Sequence, residues 1–326
     1  MSDPFAFILR KTGGPEVLEA EPIDVPRPGA GKVVVRHEAI GLNFIDTYHR
    51  SGLYPLPMPT GLGTEAAGVV EAIGEGVADF REGDRVGYFT GAPGAYATHR
   101  EIDAARLVKL SDSISAEAAA ATMLKGCTVE YLVERCARVQ AGEWVLVHAA
   151  AGGVGSILVR WLKAIGARVI AHSGDSRKAA LAKEAGADHS LCGPMDELAA
   201  EVRQLTEGKG VPVVFDGVGK ASWAPSLAST ARRGLLVTYG NASGAVPPFT
   251  ALDLLRAGSI FVTRPTLGDY VPTPEAMRAS ADRLFEMMKR QVVKVHIGAR
   301  YLLGEAADAH RAIESRVTTG STILIP

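Results

Sequence analysis

The 326-residue sequence lacks an excess of either charge: 35 basic residues stand against 36 acidic ones, for a formal net charge of -1. A nucleic-acid or anionic-lipid surface announces itself as a basic excess, and none is present. No apolar run approaches the ~20 residues that span a bilayer. The beginning, Met1-Ser2-Asp3-Pro4-Phe5, has no basic segment followed by an apolar one, so no secretory signal is read and a cytoplasmic location is expected. Cysteine is scarce: only Cys127, Cys136 and Cys192 occur. They form no CxxC pair, which argues against a disulfide framework and against a structural zinc site, and buried, inert thiols are expected. The eight histidines form no HxH or HxxxH pair, so no metal cluster is visible. His49, three residues after Asp46, is expected to face solvent.

What is present has three textures. Residues 1–122 carry short β-branched runs such as Lys32–Ala39, Gly68–Ile73 and Asp84–Tyr88, broken by turn signals at Arg27-Pro28-Gly29 and Glu82-Gly83-Asp84; this predicts a small, mostly β domain. Residues 123–262 alternate strands with helices. Trp144–His148 is a nearly continuous apolar strand of the kind buried in parallel sheets. The helix after it spaces Val154, Ile157, Leu158, Trp161, Leu162 and Ile165 three and four apart, on one face. Further helices are predicted around 176–185 and 196–206, and strands at Arg168–Ala171, near Ser190, and at Val211–Phe215, Gly234–Tyr239 and Ser259–Val262. Repetition of this kind predicts a doubly wound parallel sheet. Residues 263–326 add one long helix, Pro274–Lys289, and a terminal strand, Ser321–Pro326. A β-rich start and a mixed end imply that the middle domain is inserted into the other.

The strongest motif runs Ala149-Ala150-Ala151-Gly152-Gly153-Val154-Gly155, an A-x-G-x-x-G dinucleotide fingerprint counted from Ala150. Gly152 would let the backbone approach a pyrophosphate, Gly155 would let helix and strand pack closely, and the helix N-terminus would offer N–H donors. The second strand ends at Ser173-Gly174, where NAD sites usually place a carboxylate. Arg177 and Lys178 follow and could hold a 2′-phosphate, so NADPH is favoured. Asp175, between them and the strand, could still repel phosphate.

These segments are accompanied by Gly13–Leu18, Asn43-Phe44-Ile45-Asp46-Thr47-Tyr48, Arg50–Pro55, Gly61–Gly68, Gly240–Gly244 and Val262-Thr263-Arg264-Pro265. With them the chain resembles, end to end, the medium-chain dehydrogenase/reductase superfamily and within it the zeta-crystallin-like bacterial NADPH:quinone oxidoreductases. The resemblance implies an α/β fold: a Rossmann doubly wound parallel sheet at 123–262, inserted in a GroES-like, mostly β catalytic domain at 1–122 and 263–326. A homodimer is also implied. Cofactor contacts would fall on Asn43, Tyr48, Ala151, Gly152, Gly153 and Val154. The 2′-phosphate region would fall on Ser173, Gly174 and Lys178. The nicotinamide side would meet Tyr239, Gly240, Asn241, Val262, Thr263 and Arg264, with Arg316 near the end. Many relatives carry a Tyr or His after the third strand; Leu191-Cys192-Gly193-Pro194 has neither.

Zinc-dependent members of the superfamily hold catalytic zinc through Cys, His and Cys. The corresponding places here hold Asn43, Thr64 and approximately Ala121, none of them a ligand that zinc prefers. Without a Lewis acid, alcohol oxidation is disfavoured. Hydride transfer from NADPH to an electron-poor, conjugated acceptor stays feasible, given alignment and a hydrogen-bond donor for the oxygen that gains charge. Quinones fit best, and enones or enals are the alternative; a non-catalytic NADPH-binding protein is the reading from another class. Tyr48 and Tyr54 are the candidate donors, against ordinary aromatic packing. Lys125 could reach the cofactor, although a solvated lysine is the expected reading.

Overall fold

The computed structural model describes residues 3–326. Strands β1 (Phe5–Leu9), β2 (Glu19–Pro22) and β3 (Lys32–Leu42) precede helix α1 (Phe44–Ser51). They are followed by β4 (Thr60–Gly61), β5 (Glu65–Ile73), β6 (Arg85–Tyr88), β7 (His99–Asp103) and β8 (Val108–Lys109), then by α2 (Ala116–Glu130). Strands and helices alternate next: β9 (Trp144–His148), α3 (Gly153–Ala164), β10 (Arg168–His172), α4 (Ser176–Glu184), β11 (His189–Leu191) and α5 (Leu198–Leu205). The alternation continues through β12 (Val211–Asp216), α6 (Trp223–Ser229), β13 (Thr230–Thr238), α7 (Ala251–Arg256) and β14 (Phe261–Thr263). Helices α8 (Leu267–Tyr270) and α9 (Pro274–Lys289), strand β15 (Ile297–Leu302), α10 (Ala306–Glu314) and β16 (Ser321–Ile325) complete the chain.

Two compact units result. The first contains Met1–Leu124, Thr273–Ala281 and Val295–Pro326; the second contains Lys125–Pro272 and Asp282–Lys294. Residues 263–272 therefore lie with the parallel sheet rather than with the β-rich domain. The reason is local: Tyr270 stacks on Tyr131 at 4.4 Å between ring centres, and its carbonyl accepts from Arg135 Nη1 at 2.6 Å.

In the first unit a seven-stranded sheet runs β15-β16-β3-β5-β6-β8, with β7 also paired to β3, and a small antiparallel sheet runs β2-β1-β4. Branched residues of β3, β5 and β6 such as Val33, Val35, Ile40, Val70 and Val86 are buried, with Leu62, Phe80 and Leu324, in one core. Cross-strand packing of this kind makes the sheet the scaffold on which α1 rests.

In the second unit six parallel strands run β11-β10-β9-β12-β13-β14. Strand order reverses between β9 and β12, which is the switch point where open α/β sheets bind ligands beyond the carboxyl ends of their strands. The ends are level, because His172 pairs with His148 and Phe215 with Val147. Strand β13 begins at Thr230, four residues before the predicted start. Exposed Arg232 and Arg233 disguise its first half as a loop. Helix α9 spans the predicted residues. Among the described residues no helix is long and apolar enough to cross a membrane.

Three expectations are overturned by burial. His49 is buried, not solvent-facing. Lys125 is 5% exposed, because α2 is buried on nearly all sides and leaves no wet face for it. Of the cysteines only Cys127 is buried; Cys136 is half-buried and Cys192 is exposed, since it lies in the loop that leaves β11.

Candidate functional site

The dinucleotide face of the second unit is built at the carboxyl end of β9. Ala149 takes φ 49°, turning the chain sharply off the strand. Gly152 N–H donates to the Ala149 carbonyl at 2.9 Å and caps α3 with φ -76° and ψ 176°. A Cβ on Gly155 would stand 2.2 Å from the Ala149 oxygen and 2.8 Å from Ala150 Cα, so only glycine lets the helix begin this close to the strand. Ala151 is buried, while Gly152, Gly153 and Val154 are partly open. The first N–H groups of a helix have no partner within it, so this opening presents donors with a partial positive charge.

The neighbouring strand β10 ends at Ser173, which is 2% exposed and whose Oγ has no partner among the described residues. Gly174 is exposed, with no atom within 4 Å of where its Cβ would stand. Asp175 caps α4 by accepting from Lys178 N–H at 2.8 Å, and Lys178 Nζ lies 3.7 Å from its Oδ2. The carboxylate that threatened to repel a phosphate is thus engaged by its own helix. Arg177 is exposed and Lys178 half-buried.

On the other side of the switch point, Tyr239 N–H donates to the Asp216 carbonyl at 2.8 Å, and its ring covers Gly217, whose Cβ would meet it at 2.9 Å. Gly240 packs on the Gly217 backbone, where a Cβ would come within 2.5 Å of a carbonyl oxygen. Asn241 accepts from Gly244 N–H at 2.9 Å. Val262 and Thr263 pair with Leu236 and Val237, and exposed Arg264 follows them. The predicted residues Ala151–Val154, Ser173, Gly174, Tyr239–Asn241 and Val262–Arg264 therefore share one edge of one sheet. An open helix end, two glycines that tolerate no Cβ and an orphaned serine hydroxyl form a cradle that fits a dinucleotide.

A buried polar group not signalled by the sequence supports this edge. Asp216 accepts from Val218 and Gly219 N–H at 2.8 and 3.2 Å and from the Ser222 and Ser226 hydroxyls, each at 2.7 Å. Ser226 Oγ also lies 2.8 Å from His148 Nε2. Burial holds His148 down to about 4, so it is neutral at pH 7.

In the first unit, α1 carries Asn43 at its start. Asn43 N–H donates to Asp46 Oδ2 at 2.9 Å, and its Nδ2 donates to Glu65 Oε2 at 2.8 Å. Glu65, fully buried, accepts Leu124 N–H at 2.7 Å through Oε1. Gly41 makes room for that carboxylate, since a Cβ there would stand 2.2 Å from Glu65 Oε2. In the sequence Glu65 lies inside the Gly61–Gly68 segment that carries the resemblance, but no role is assigned to it there. Thr64, expected with Asn43 and approximately Ala121 at the places of zinc ligands, is 7% exposed, and Ala121 is fully buried. Among the described residues no group of three or more His, Cys, Asp or Glu side chains is placed to hold a metal.

Tyr48, 8% exposed, and half-buried Tyr54 meet edge to face at 5.2 Å, and Tyr54 N–H donates to the Tyr48 carbonyl at 3.1 Å. The two rings pack as an aromatic pair at the end of α1. Arg316, exposed with φ 60°, lies in the turn after α10.

Comparison with known proteins agrees with this architecture. Residues 29–112 match the alcohol dehydrogenase GroES-like domain and residues 153–286 the zinc-binding dehydrogenase family. The chain is 49% identical to a quinone oxidoreductase of Pseudomonas aeruginosa, over 96% of this chain and 97% of that one. It is 39% identical to a 2-haloacrylate reductase of a Burkholderia species, over 98% of each. The structure of Escherichia coli quinone oxidoreductase complexed with NADPH superposes with a TM-score of 0.96 at 44% identity, covering 99% of this chain and 100% of that one. The chain belongs to the NADPH quinone oxidoreductase family of the medium-chain dehydrogenase/reductase superfamily.

Proposed function

We propose that the protein is an NADPH-dependent quinone reductase that works without zinc. The observation that carries this reading is end-to-end similarity to quinone oxidoreductases; the resemblance puts Asn43, Thr64 and approximately Ala121 where zinc-dependent members keep ligands. Bound NADPH supplies the hydride. The chain's own residues bind, orient and donate. The α3 N-terminus with Ala151, Gly152, Gly153 and Val154 holds the pyrophosphate. Ser173, Gly174, Arg177 and Lys178 hold the 2′-phosphate. Tyr239, Gly240, Asn241, Val262, Thr263 and Arg264 line the nicotinamide side, while Asn43, Tyr48, Lys125 and Arg316 complete the cofactor contacts. Tyr48, with Tyr54 beside it, donates a hydrogen bond to the acceptor oxygen as it gains charge.

The test is to mix the protein with NADPH and a panel of quinones and enones and follow the loss of NADPH absorbance. Turnover with quinones is expected; NADPH binding without turnover on any acceptor would leave the non-catalytic reading. The similarity to a 2-haloacrylate reductase favours activated alkenes as second acceptors, so enones should turn over more slowly. Elemental analysis is expected to find no stoichiometric zinc, and a chelator to leave activity unchanged.

A homodimer is the assembly we infer. Strand β14 is the outer strand of its sheet, its Phe261 is 64% exposed, and Leu252 and Leu255 of α7 are 58% and 64% exposed. An apolar edge of this kind is usually covered. Light scattering should give twice the 34.3 kDa chain mass, and Phe261→Lys should shift it toward the monomer.

A further inference from the structure

Helix α1 is only eight residues long, too short to hold its own shape in water. It is buried nearly all round, and one of its buried sides is polar: Asp46 is fully buried and Arg50 is 2% exposed. The two are four residues apart and so share a face, while Tyr48 between them points about 200° around the axis from Asp46.

The groups facing that polar side come from far away in sequence. Arg50 Nη1 donates to His310 Nδ1 at 3.1 Å, and its two terminal nitrogens also reach the Glu314 carboxylate at 3.1 and 2.5 Å. His310 Nε2 lies 3.0 Å from the Tyr96 hydroxyl, which donates to Asp46 Oδ2 at 3.1 Å. Arginine can only donate, so the His310 proton is on Nε2. That N–H donates to the Tyr96 oxygen, and the Tyr96 proton must go to Asp46. Every proton in the circuit is fixed by one cation. His310 is fully buried, and burial, reinforced by Arg50, holds it down to about 3, so it stays neutral and the circuit keeps its direction.

We propose that Tyr96 and His310 are positioning residues, closing a hydrogen-bonded ring between the first and last turns of α1 that sets the rotation of the helix and thereby aims Tyr48. The ring explains why a fully buried aspartate, arginine and histidine are kept in one place, where apolar residues would pack at less cost in desolvation. Neither Tyr96 nor His310 touches the acceptor. They act through the phenol on the opposite face, and the proposal rests on the donor role assigned to Tyr48.

Four variants and two readouts test it. Tyr96→Phe cuts the link to Asp46 and keeps the ring packing. His310→Leu removes both nitrogens, and His310→Gln keeps one acceptor and one donor without a titrating group. With a slow enone acceptor, Tyr96→Phe and His310→Leu are expected to lower kcat about tenfold with KM for NADPH nearly unchanged, and His310→Gln to restore most of the loss. Combined with Tyr48→Phe, Tyr96→Phe should cost nothing more, because the donor it aims is gone. Amide exchange of residues 44–51, read independently of activity, should quicken about tenfold in Tyr96→Phe while β3 stays protected. Unchanged kcat in Tyr96→Phe, losses that multiply with Tyr48→Phe, or Gln no better than Leu would each overturn the proposal. If the wild type reduces no acceptor, the reductase reading falls by itself. Exchange over α1 then decides the clamp: faster in Tyr96→Phe sustains it, unchanged refutes it.

Discussion

The two units bury their histidines against opposite kinds of anchor. In the first, Arg50 is a permanent donor, and it occupies His310 Nδ1. In the second, the Asp216 carboxylate is the acceptor: Ser226 donates to it, so Ser226 accepts from His148 Nε2–H. Both imidazoles therefore carry their proton on Nε2 and leave Nδ1 bare. His310 spends that lone pair on the arginine, whereas His148 Nδ1 has no partner among the described residues. The first network is closed on itself and fixes a helix. The second is open at the strand end that leads into the glycine-rich turn. A cation at the root of a buried chain settles every proton in it, while a carboxylate at the root settles the near end and leaves the far end with a lone pair.

Acid should break the two units to different extents. Burial, partly offset by the hydrogen bond to the Ala97 carbonyl and reinforced by the charges of Arg100 and His99, holds His37 at about 3, and His310 is held equally low; both belong to the first unit. The second has His148 at about 4. A histidine whose folded pKa lies below 6.5 lets the unfolded chain take the proton first. Stability is therefore intact above about pH 6.5 and falls as pH drops toward the folded values. At pH 4.5 each such group forfeits roughly 3 kcal/mol, so the pair in the first unit loses about twice what His148 loses in the second. All three tryptophans, Trp144, Trp161 and Trp223, belong to the second unit. Amide protection of β3 should accordingly be lost at a higher pH than the one at which tryptophan fluorescence shifts. Simultaneous loss would mean that these histidines do not set the order.

Next in size is Tyr48→Phe, which removes one donor and keeps the ring. A preorganised donor is typically worth about 10² to 10³ in turnover. The loss should appear on an enone, which needs help for its oxygen, and be smaller on quinones, with NADPH affinity retained. Turnover unchanged on both acceptors would leave Tyr48 as a cofactor contact only.

Legibility in the sequence follows how local the cause is. Strand Trp144–His148, the glycine turn and helix Pro274–Lys289 were readable because their determinants lie within a few residues: an apolar run, glycines at fixed offsets, a proline at a helix start. Ala151 and Ser173 could be read from the fingerprint turn and the end of the second strand, whereas Tyr239 and Val262 came only from the resemblance to the family. The ring on α1 was not readable. Arg50 and His310 are 260 residues apart, and nothing near either one signals the other. Burial of His49 and Lys125 escaped for the same reason, since what covers a side chain is seldom its neighbour in sequence. Glu65 and Asp216 were passed over because a lone carboxylate ordinarily belongs to the surface, and only hydrogen bonds to backbone N–H groups reveal why these are inside.

Ser226→Ala tests the open network directly. It strips one acceptor from His148 Nε2–H and one donor from Asp216, both buried. Leaving such groups short costs about 1–3 kcal/mol, and urea unfolding followed by tryptophan fluorescence should read it. Ser226→Cys, which keeps a weak donor, should lose less. Equal stability of the alanine variant would show that the remaining three donors satisfy Asp216.

The smallest effect lies furthest from either histidine network, at the end of β10. Ser173 leaves no carboxylate there to pair with a free ribose, and its buried hydroxyl has no partner among the described residues. Asp175 is drawn onto Lys178 N–H, so its charge is partly spent within α4. Exposed Arg177 and half-buried Lys178 are the cations proposed to meet a 2′-phosphate. Exposed charges act through solvent and salt, so their joint contribution is modest. NADPH should bind about tenfold more tightly than NADH, or ~1.4 kcal/mol, and the preference should shrink as salt is raised. Replacing both Arg177 and Lys178 by alanine should bring the two affinities together, mainly by weakening NADPH. Ser173→Asp should go further and reverse the order, because a buried carboxylate would repel the phosphate and accept from both ribose hydroxyls. Titration that gives equal affinities for the wild type, or an unchanged preference in the double alanine variant, would place the discrimination elsewhere than on α4.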